Sequence, residues 1–503
     1  MVRIKRFLLL VFLAATYFNS TAQNSQVMYY MKIPQNHLIN PAVKPNNLYY
    51  IGVPVLSGLG TNITNNFLEL TDIFTPDLKA DSIISFQNPN FDLNKISGKL
   101  KKHNNISVDA NIQFLGFGFT VWKDLYLFVD IVDRIEAAAV FPKDLLNLYL
   151  KDYNQFLNQT VDLSGLNFNG QYFREYGLGF SKNVTDKLRV GAKIKLLSGI
   201  ASASLDDRKL SLKINSTDFT KEVTADATLS FSGKSYIDRL FYDNYILKRS
   251  SDQTNRSANV KGFINDLLFP PLTNTGVGFD FGAVYEVNKM ITVSASVTDL
   301  GAIKWKHDLK SFSAKDTTLT FNSFTLQDVV DQKITLSTLF DDAGNTIRDS
   351  FKEDATSRTF KTYLPAEIHL GANINLLPVF SIGILSSSKI WSGQVKEALT
   401  LSGNVYLGRM FSGSLSYTTA NYTFDNFGIG LAFKAGPAQI YLIADKIPVK
   451  WSRIYLKKQP GEYTPLSLPD RWYTLNLQVG LNFAFGKVVN TQVDKPMLSG
   501  QNN

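Results

Sequence analysis

The chain contains no cysteine. For an exported protein this absence excludes disulfides, thiolate nucleophiles and Cys-ligated metal sites. Histidine is also scarce: the four histidines have no second ligand at helical or strand spacing, which argues against a metal centre and predicts that they lie in solvated loops or in a polar interior. They are His37, His103, His307 and His369. A Gly-x-Ser-x-Gly nucleophile motif is missing as well. We therefore predict no enzymatic activity and no cofactor.

The sequence also lacks an apolar run long enough for a transmembrane helix. Its longest such run follows the basic residues Arg3, Lys5 and Arg6 and spans 7–15. That run is about half of the roughly 18 residues that a helical span needs. Small residues at positions 20–22 complete the three parts of a secretory signal. We predict a signal peptide at 1–22, with cleavage near Ala22.

Positive charge is in excess, but it is not clustered. The formal net charge is +9, and lysine and arginine are spread along the chain. A nucleic-acid partner would require a basic stripe on one face, so we predict no nucleic-acid binding. A diffuse excess fits loops or attraction to anionic lipid head groups.

A two-residue alternation of apolar and polar side chains dominates the mature sequence. Ile291, Val293 and Ala295 alternate with Thr292 and Ser294. This period predicts strands with one apolar and one polar face. Comparable alternations occur at 106–114, 125–132, 176–180, 188–196, 277–285, 367–376, 399–407, 427–433 and 473–485.

The apolar faces of these strands favour a membrane barrel over a soluble β-sandwich, which has the same period. They carry no charge, and a charge at mid-bilayer costs roughly 2 to 4 kcal/mol. Strands in lipid must form a closed sheet to satisfy their backbone groups. We predict an all-β fold, a transmembrane antiparallel β-barrel in a bacterial outer membrane, with membrane lipid and the barrel-assembly machinery as partners. We predict that the charged side chains on the opposite, polar faces point into the lumen, together with a nearby histidine. These lumen-facing candidates are Arg189, Lys193, Lys195, Asp280, Glu286, Glu367 and His369.

The remaining segments complete a predicted domain organisation. Residues 23–47 are rich in proline and asparagine and predict a hatch or plug-like segment. The barrel with its loops follows at 48–487, and a polar tail occupies 488–503. The long stretches 198–275, 303–365 and 446–471 predict extracellular loops and strand extensions. Helical spacing appears at 142–157 and, more weakly, at 329–339.

Short motifs resemble an outer-membrane barrel family of unknown function that is common in Bacteroidota. They are Asn40-Pro41-Ala42, the strand-ending Asp299-Leu300-Gly301, and the closing segment 480–487. That family is similar in outline to the long-chain fatty-acid porins and to barrels associated with type IX secretion. The resemblance implies about 14 strands. It also implies an N-terminal hatch inside the lumen, with Asn40, Pro41 and Ala42 as its candidate residues.

Two functions are favoured at the level of sequence, and an outer-membrane enzyme with Ser and His assembled across strands is a third alternative. The first is a transporter or conduit for a small molecule, which by analogy with the fatty-acid porins can be hydrophobic. The second is a non-transporting barrel that serves as the scaffold of a secretion or surface-assembly complex and binds partners through its loops. The inward charges fit either a selective channel or ion pairs that fill a closed barrel.

Overall fold

A computed structural model describes most of the barrel. It covers residues 26–45, 47–69, 72, 75–77, 82–84, 93–122, 124–150, 153–216, 221–233, 272–321, 352–353, 358–391, 394–408, 410–420, 423–447, 451–459, 462–469 and 474–486. The predicted signal peptide, the polar tail and the weaker helix at 329–339 lie outside these residues.

The described residues are mainly strands. In chain order the strands are β1 Tyr49–Gly52, β2 Leu59–Asn65, β3 Thr75–Asp77, β4 Ser82–Ile84, β5 His103–Trp122, β6 Leu125–Pro142, β7 Thr160–Asp162, β8 Asn167–Asn183, β9 Leu188–Ile214, β10 Lys221–Ser232, β11 Asn274–Glu286, β12 Ile291–Trp305, β13 Leu309–Phe321, β14 Lys352–Glu353, β15 Phe360–Tyr363, β16 Ala366–Leu377, β17 Phe380–Trp391, β18 Gln394–Leu407, β19 Phe411–Ala420, β20 Thr423–Ala435, β21 Ala438–Ile447, β22 Trp451–Gln459, β23 Glu462–Pro469 and β24 Thr474–Phe485. The α-helices are α1 Leu93–Lys99 and α2 Lys143–Leu150, and 3₁₀ turns occur at Val27–Tyr30, Pro34–Leu38 and Tyr153–Phe156.

The main sheet closes on itself. The last strand, β24, pairs antiparallel with β21 on one side and with β1 and β2 on the other, and β1 and β2 in turn pair with β5. β1 and β2 share one position in the wall, as do β15 and β16. The described strands therefore form a closed barrel of 14 antiparallel positions, which confirms the predicted fold. Closure leaves no unpaired edge within the wall.

The two faces of the wall differ in chemistry as the alternation predicts. On the outer face, large apolar side chains are exposed, such as Leu178 (57%), Leu370 (57%) and Leu415 (61%). On the inner face polar side chains are buried, including Asn404, Ser414 and Asn482. Among the described residues, no helix is long and apolar enough to cross a membrane.

The two ends of the barrel also differ. Short turns join β5 to β6, β8 to β9, β11 to β12, β16 to β17, β18 to β19 and β20 to β21. At the other end β9 continues beyond β11 and pairs there with β10, which pairs with β13. We refer to these as the short-turn end and the long-loop end. In bacterial barrels short turns face the periplasm.

Several strands are longer than the sequence predicts. The alternation at 125–132 is interrupted by the adjacent charges Asp133 and Arg134, yet β6 continues to Pro142. Arg134 points inward, whereas Asp133 lies on the outer face, where it forms a buried ion pair with Arg174. The Arg174 guanidinium stacks over the Phe114 ring at 4.4 Å, and the Tyr172 hydroxyl donates to Asp133 at 2.9 Å. Charge on the outer face is thus tolerated where ionic and aromatic partners cover it.

The prediction that a strand ends at Asp299 is wrong, because β12 runs on to Trp305. Asp299 has a positive φ of 62°, and the register with β11 shifts beside it, between Phe279 and Phe281. The Asp299 N–H donates to Asp280 Oδ1 at 2.7 Å, which holds this bulge in place. A bulge turns a side chain without ending the strand.

The helix predicted at 142–157 is present in two pieces. The first, α2, begins directly after the last residue of β6, and the 3₁₀ turn Tyr153–Phe156 follows. Asn147 of α2 accepts a hydrogen bond from Ser97 of α1 at 2.8 Å.

Candidate functional site: a plugged and charged lumen

Residues 26–45 lie inside the barrel, and we call them the plug. The plug contains two 3₁₀ turns, the second of which begins with Pro34. Proline suits the first turn of a helix because its missing N–H would have no partner there. Asn40 then closes a turn on itself, since its Oδ1 accepts from the Ala42 N–H at 3.0 Å and its carbonyl accepts from the Val43 N–H at 3.0 Å.

Hydrogen bonds join the plug to polar side chains of the wall. Gln35 and Asn482 exchange two amide hydrogen bonds of 2.7 and 3.0 Å. Ser387 Oγ donates to Gln26 Oε1 at 2.9 Å, and Ser412 Oγ accepts from the Lys32 N–H at 3.2 Å. Serine and asparagine on inward positions of the wall thus serve as partners for a segment that lies outside the sheet.

Tyrosines extend these contacts. Burial raises the pKa of the Tyr29 hydroxyl, which therefore stays protonated and donates to Ser294 Oγ at 2.9 Å. The Tyr30 hydroxyl lies 2.6 Å from the carbonyl oxygen of Ile384 and 3.1 Å from that of Ala372. It thereby reaches the backbone of β16 and β17.

An apolar contact joins the plug to β20 and β21, which lie between β19 and β24 in the wall. Val27, Met28, Met31 and Ile33 pack against Ala432, Tyr441 and Ile443 of β20 and β21. Gly428 and Gly430 face this cluster, and a Cβ at Gly430 would lie 2.5 Å from Val27 Cγ1. The absence of side chains here gives the plug room to lie close to the wall.

The predicted plug residues lie against another glycine-lined part of the wall. Gly191 and Gly282 face Asn40, Pro41 and Ala42, and a Cβ at Gly191 would come within 2.5 Å of the Ala42 nitrogen. Ser181 Oγ donates to the Ala42 carbonyl at 2.8 Å, while Ser296 Oγ donates to the Ile39 carbonyl at 2.8 Å. With these contacts, the plug meets the inner face on all sides of the lumen.

His37 links the plug to a layer of charge. It is fully buried rather than solvated, and its Nε2 lies 2.9 Å from Asp130 Oδ2. Its ring packs on Phe128 with centroids 4.3 Å apart. On its other side, Asp130 lies 3.4 Å from Lys193 Nζ.

Buried and half-buried acidic and basic side chains of several strands meet on the long-loop side of the plug, and we call them the charged layer. Its members are Asp109, Asp130, Arg134, Glu136, Glu175, Lys193, Lys195, Asp280, Asp299, Glu367 and Lys389. Lys195 Nζ lies 2.6 Å from Asp299 and 2.8 Å from Asp280. Arg134 contacts both Asp299 and Glu136 at 2.6 Å. Opposite charges compensate one another here, which a buried layer requires.

The lumen-facing candidates do not all reach this layer. Lys193, Lys195, Asp280 and Glu367 belong to it, and His369 Nε2 lies 3.7 Å from Glu367. The structure does not bring the other two into it. Arg189 lies nearer the short-turn end, where its Nε donates to Asn183 at 2.6 Å. Glu286 is exposed at the last position of β11.

Sequence patterns missed other members of the layer. Arg134, Glu136 and Glu175 lie just outside the predicted strands 125–132 and 176–180, and Lys389 lies in β17, which was not predicted. The alternation of Ser381 and Gly383 with Ile382 and Ile384 is a signal that could have identified β17. Within the described residues, no group of three or more His, Asp or Glu side chains is arranged to hold a metal ion.

Two cavities lie on opposite sides of the plug. One of about 110 Å³ is bounded by Leu38 and Ile39 of the plug and by Val132, Thr298 and Asp299 of the wall. The other, of about 250 Å³, is bounded by Thr292, Val284 and Tyr406, which lie within two residues of strand ends at the short turns. The plug separates them.

The family of unknown function DUF5723 matches residues 41–445. The chain belongs to this family. No curated protein matches the sequence significantly. The prediction of a family of unknown function is thereby confirmed, whereas the bacterial phylum and the link to type IX secretion stay predictions.

Solved barrels of low identity are similar along most of the chain. A Pseudomonas aeruginosa FadL homologue is 10% identical with a TM-score of 0.41, and the match covers 93% of this chain and 100% of that chain. The Ralstonia pickettii toluene transporter TbuX is 9% identical with a TM-score of 0.39, covering 94% and 100%. The Pseudomonas putida toluene transporter TodX is 10% identical with a TM-score of 0.37, covering 93% and 96%. At these values neither substrate nor mechanism carries over to this barrel.

Proposed function

We propose that this protein is an outer-membrane barrel that transports a small molecule and that its plug is the gate. The observation that carries the proposal is the pair of cavities on opposite sides of the plug. If the plug only filled the lumen to stabilise the barrel, we would expect close packing on both of its faces rather than a cavity on each. Exposed apolar side chains around the outer face support residence in a membrane.

The way in which the plug is attached to the wall supports the proposal that the plug moves. Beside the apolar cluster at β20 and β21, its polar contacts are mostly hydrogen bonds between neutral groups, each of which contributes about 0.5 to 1.5 kcal/mol. His37 adds a contact of 2.9 Å between its Nε2 and the Asp130 carboxylate. Glycines of the wall contact the plug at two places, Gly191 and Gly282 beside Pro41, and Gly428 and Gly430 beside Val27. A segment held in this way can leave its position without disturbing the closed wall.

The side chains that line the cavities favour an amphipathic solute. In the smaller cavity Leu38, Leu59 and Val132 lie beside Arg134 and Glu175. Apolar walls with a few placed charges are typical of sites for small molecules. The charged layer would also disfavour solutes with no polar group, because they would desolvate it without replacing its hydration.

Solute flux through reconstituted vesicles tests the proposal. We expect uptake of 4-hydroxyphenylacetate to exceed that of protein-free vesicles, and glucose uptake to stay at the protein-free level. The contrary result is a barrel that passes neither solute, is electrically silent in planar bilayers, and co-purifies with a large complex. That result would favour a scaffold.

A further inference from the structure

The cavity at the short-turn end has the composition of a binding site. Its plug side is formed by residues 29–33, 36 and 43–45, and its wall side by strands β11, β12, β16 and β18. At about 250 Å³ it is somewhat smaller than the roughly 300 to 1,000 Å³ of pockets for drug-sized ligands. It therefore suits a compact molecule with one ring or a short chain.

The charge of the cavity is positive. Lys32 and Lys44 both line it, and no carboxylate occurs among its described lining residues. Lys32 Nζ lies 4.0 Å from the centre of the Tyr406 ring, so an aromatic face keeps this ammonium at the wall. Tyr406 is fixed in turn, since its hydroxyl donates to the Tyr30 carbonyl at 2.7 Å.

Two acceptor oxygens in the lining lack a donor. Asn36 Oδ1 and Asn373 Oδ1 are buried, and no described protein group donates to either of them. Asn36 is 5% exposed, and its Nδ2 already donates a hydrogen bond to the Met31 carbonyl. A buried acceptor without a partner costs about 1 to 3 kcal/mol, so a ligand hydroxyl or a water that donates here is favoured.

We infer that this cavity binds a small organic acid that also carries a hydrogen-bond donor, with the acid group at Lys32 and Lys44 and the donor at the asparagine oxygens. Tyr29, Tyr30 and Tyr406 supply the surface for an aromatic or aliphatic body. At the short-turn end this cavity would release the transported solute to the periplasm, and this role rests on the proposed function. The binding itself can be measured without transport.

Binding is expected to weaken above neutral pH. Burial lowers the pKa of Lys44 to about 8, with Arg189 adding to this effect and Asp124 opposing it. Burial also lowers the pKa of Lys32. As the pH rises through about 8, Lys44 loses the charge that attracts the acid group.

Calorimetric titration of the full chain in lipid nanodiscs tests the inference, with 4-hydroxyphenylacetate and its neutral amide as probes. We expect the acid to bind at least about tenfold more tightly than the amide, a difference of about 1.4 kcal/mol. The double variant Lys32→Gln/Lys44→Gln should remove this preference. Lys289→Gln is the matched control, because Lys289 lies exposed in a turn at the same end and does not line the cavity.

The outcomes separate the two proposals. Equal affinity for acid and amide, or an unchanged preference in the double variant, would overturn the inference. If the acid binds as expected but no solute crosses the vesicle membrane, the site stands and the transport function fails. If solutes cross while neither probe binds, transport stands and the inference is wrong. A variant that aggregates is replaced by Val284→Phe, which fills the cavity without a change of charge and should abolish binding.

Discussion

Replacing Lys195 by methionine is expected to lower the free energy of unfolding by about 3 to 5 kcal/mol, because removing one partner of a buried ionic group leaves uncompensated charge. Lys195 is 3% exposed and contacts Asp299 at 2.6 Å, Asp280 at 2.8 Å and Glu175 at 3.6 Å. Three carboxylates would thus lose a shared cation. Methionine keeps the length and most of the volume of the side chain, so the change in the free energy of unfolding measures the loss of the positive charge.

The gel shift between unheated and boiled samples, recorded along a urea series, measures this loss. Lys187→Met is the control, since Lys187 is exposed in the turn between β8 and β9. Adding Asp280→Asn to the Lys195 variant should recover at least about 1 kcal/mol, because it removes one excess negative charge. Equal urea midpoints for Lys195→Met and Lys187→Met would show that the charged layer does not stabilise the barrel.

Alanine at both Gly191 and Gly282 is expected to make the barrel conduct ions. A Cβ at Gly191 would lie 2.5 Å from the Ala42 nitrogen, and one at Gly282 would lie 3.0 Å from Pro41 Cδ. The neighbours of a Cβ at Gly191 are backbone atoms of Pro41 and Ala42, which cannot rotate away, and a Cβ at Gly282 would also clash with Asn40 Oδ1, so the turn at Asn40 must leave the wall. Overpacking of this kind typically costs about 1 to 3 kcal/mol.

Planar-bilayer recordings measure this effect. Wild-type protein should be closed for most of the record, and the double alanine variant should show frequent openings. Gly278→Ala is the control on the same strand, since its Cβ would meet nothing closer than 3.4 Å. Recordings in which the double variant is as silent as Gly278→Ala would mean that the plug does not close the lumen at this point.

The sequence predicted the barrel because two-residue alternation is a local property. Lys193 and Lys195 alternate with Ile194 and Leu196, so their inward direction follows from the strand alone. Asp299 does not follow this rule. Its positive φ and the bulge opposite Asp280 place it among the buried charges, although it directly follows the buried Thr298.

The partners of inward side chains could not be predicted, because they depend on which strands face one another across the lumen. Arg134 of β6 and Asp299 of β12 are 165 residues apart in sequence and 2.6 Å apart in space. The contact between His37 and Asp130 depends on the path of an irregular segment. Arg189 and Glu286 lie on the polar faces of their strands, as alternation predicts. They lie near the strand ends, however, and alternation does not show how far along the barrel axis a side chain lies.

The proposed transport depends on movement of the plug, and a reversible tether tests this movement most directly. A Cβ at Gly430 would lie 2.5 Å from Val27 Cγ1, so cysteines at both positions place their Cβ atoms within about 4 Å, the separation a disulfide needs. The chain has no other cysteine. We predict that the oxidised Val27→Cys/Gly430→Cys variant in vesicles takes up no 4-hydroxyphenylacetate, and that reduction restores the uptake of the single variants. Equal uptake before and after reduction would contradict the account.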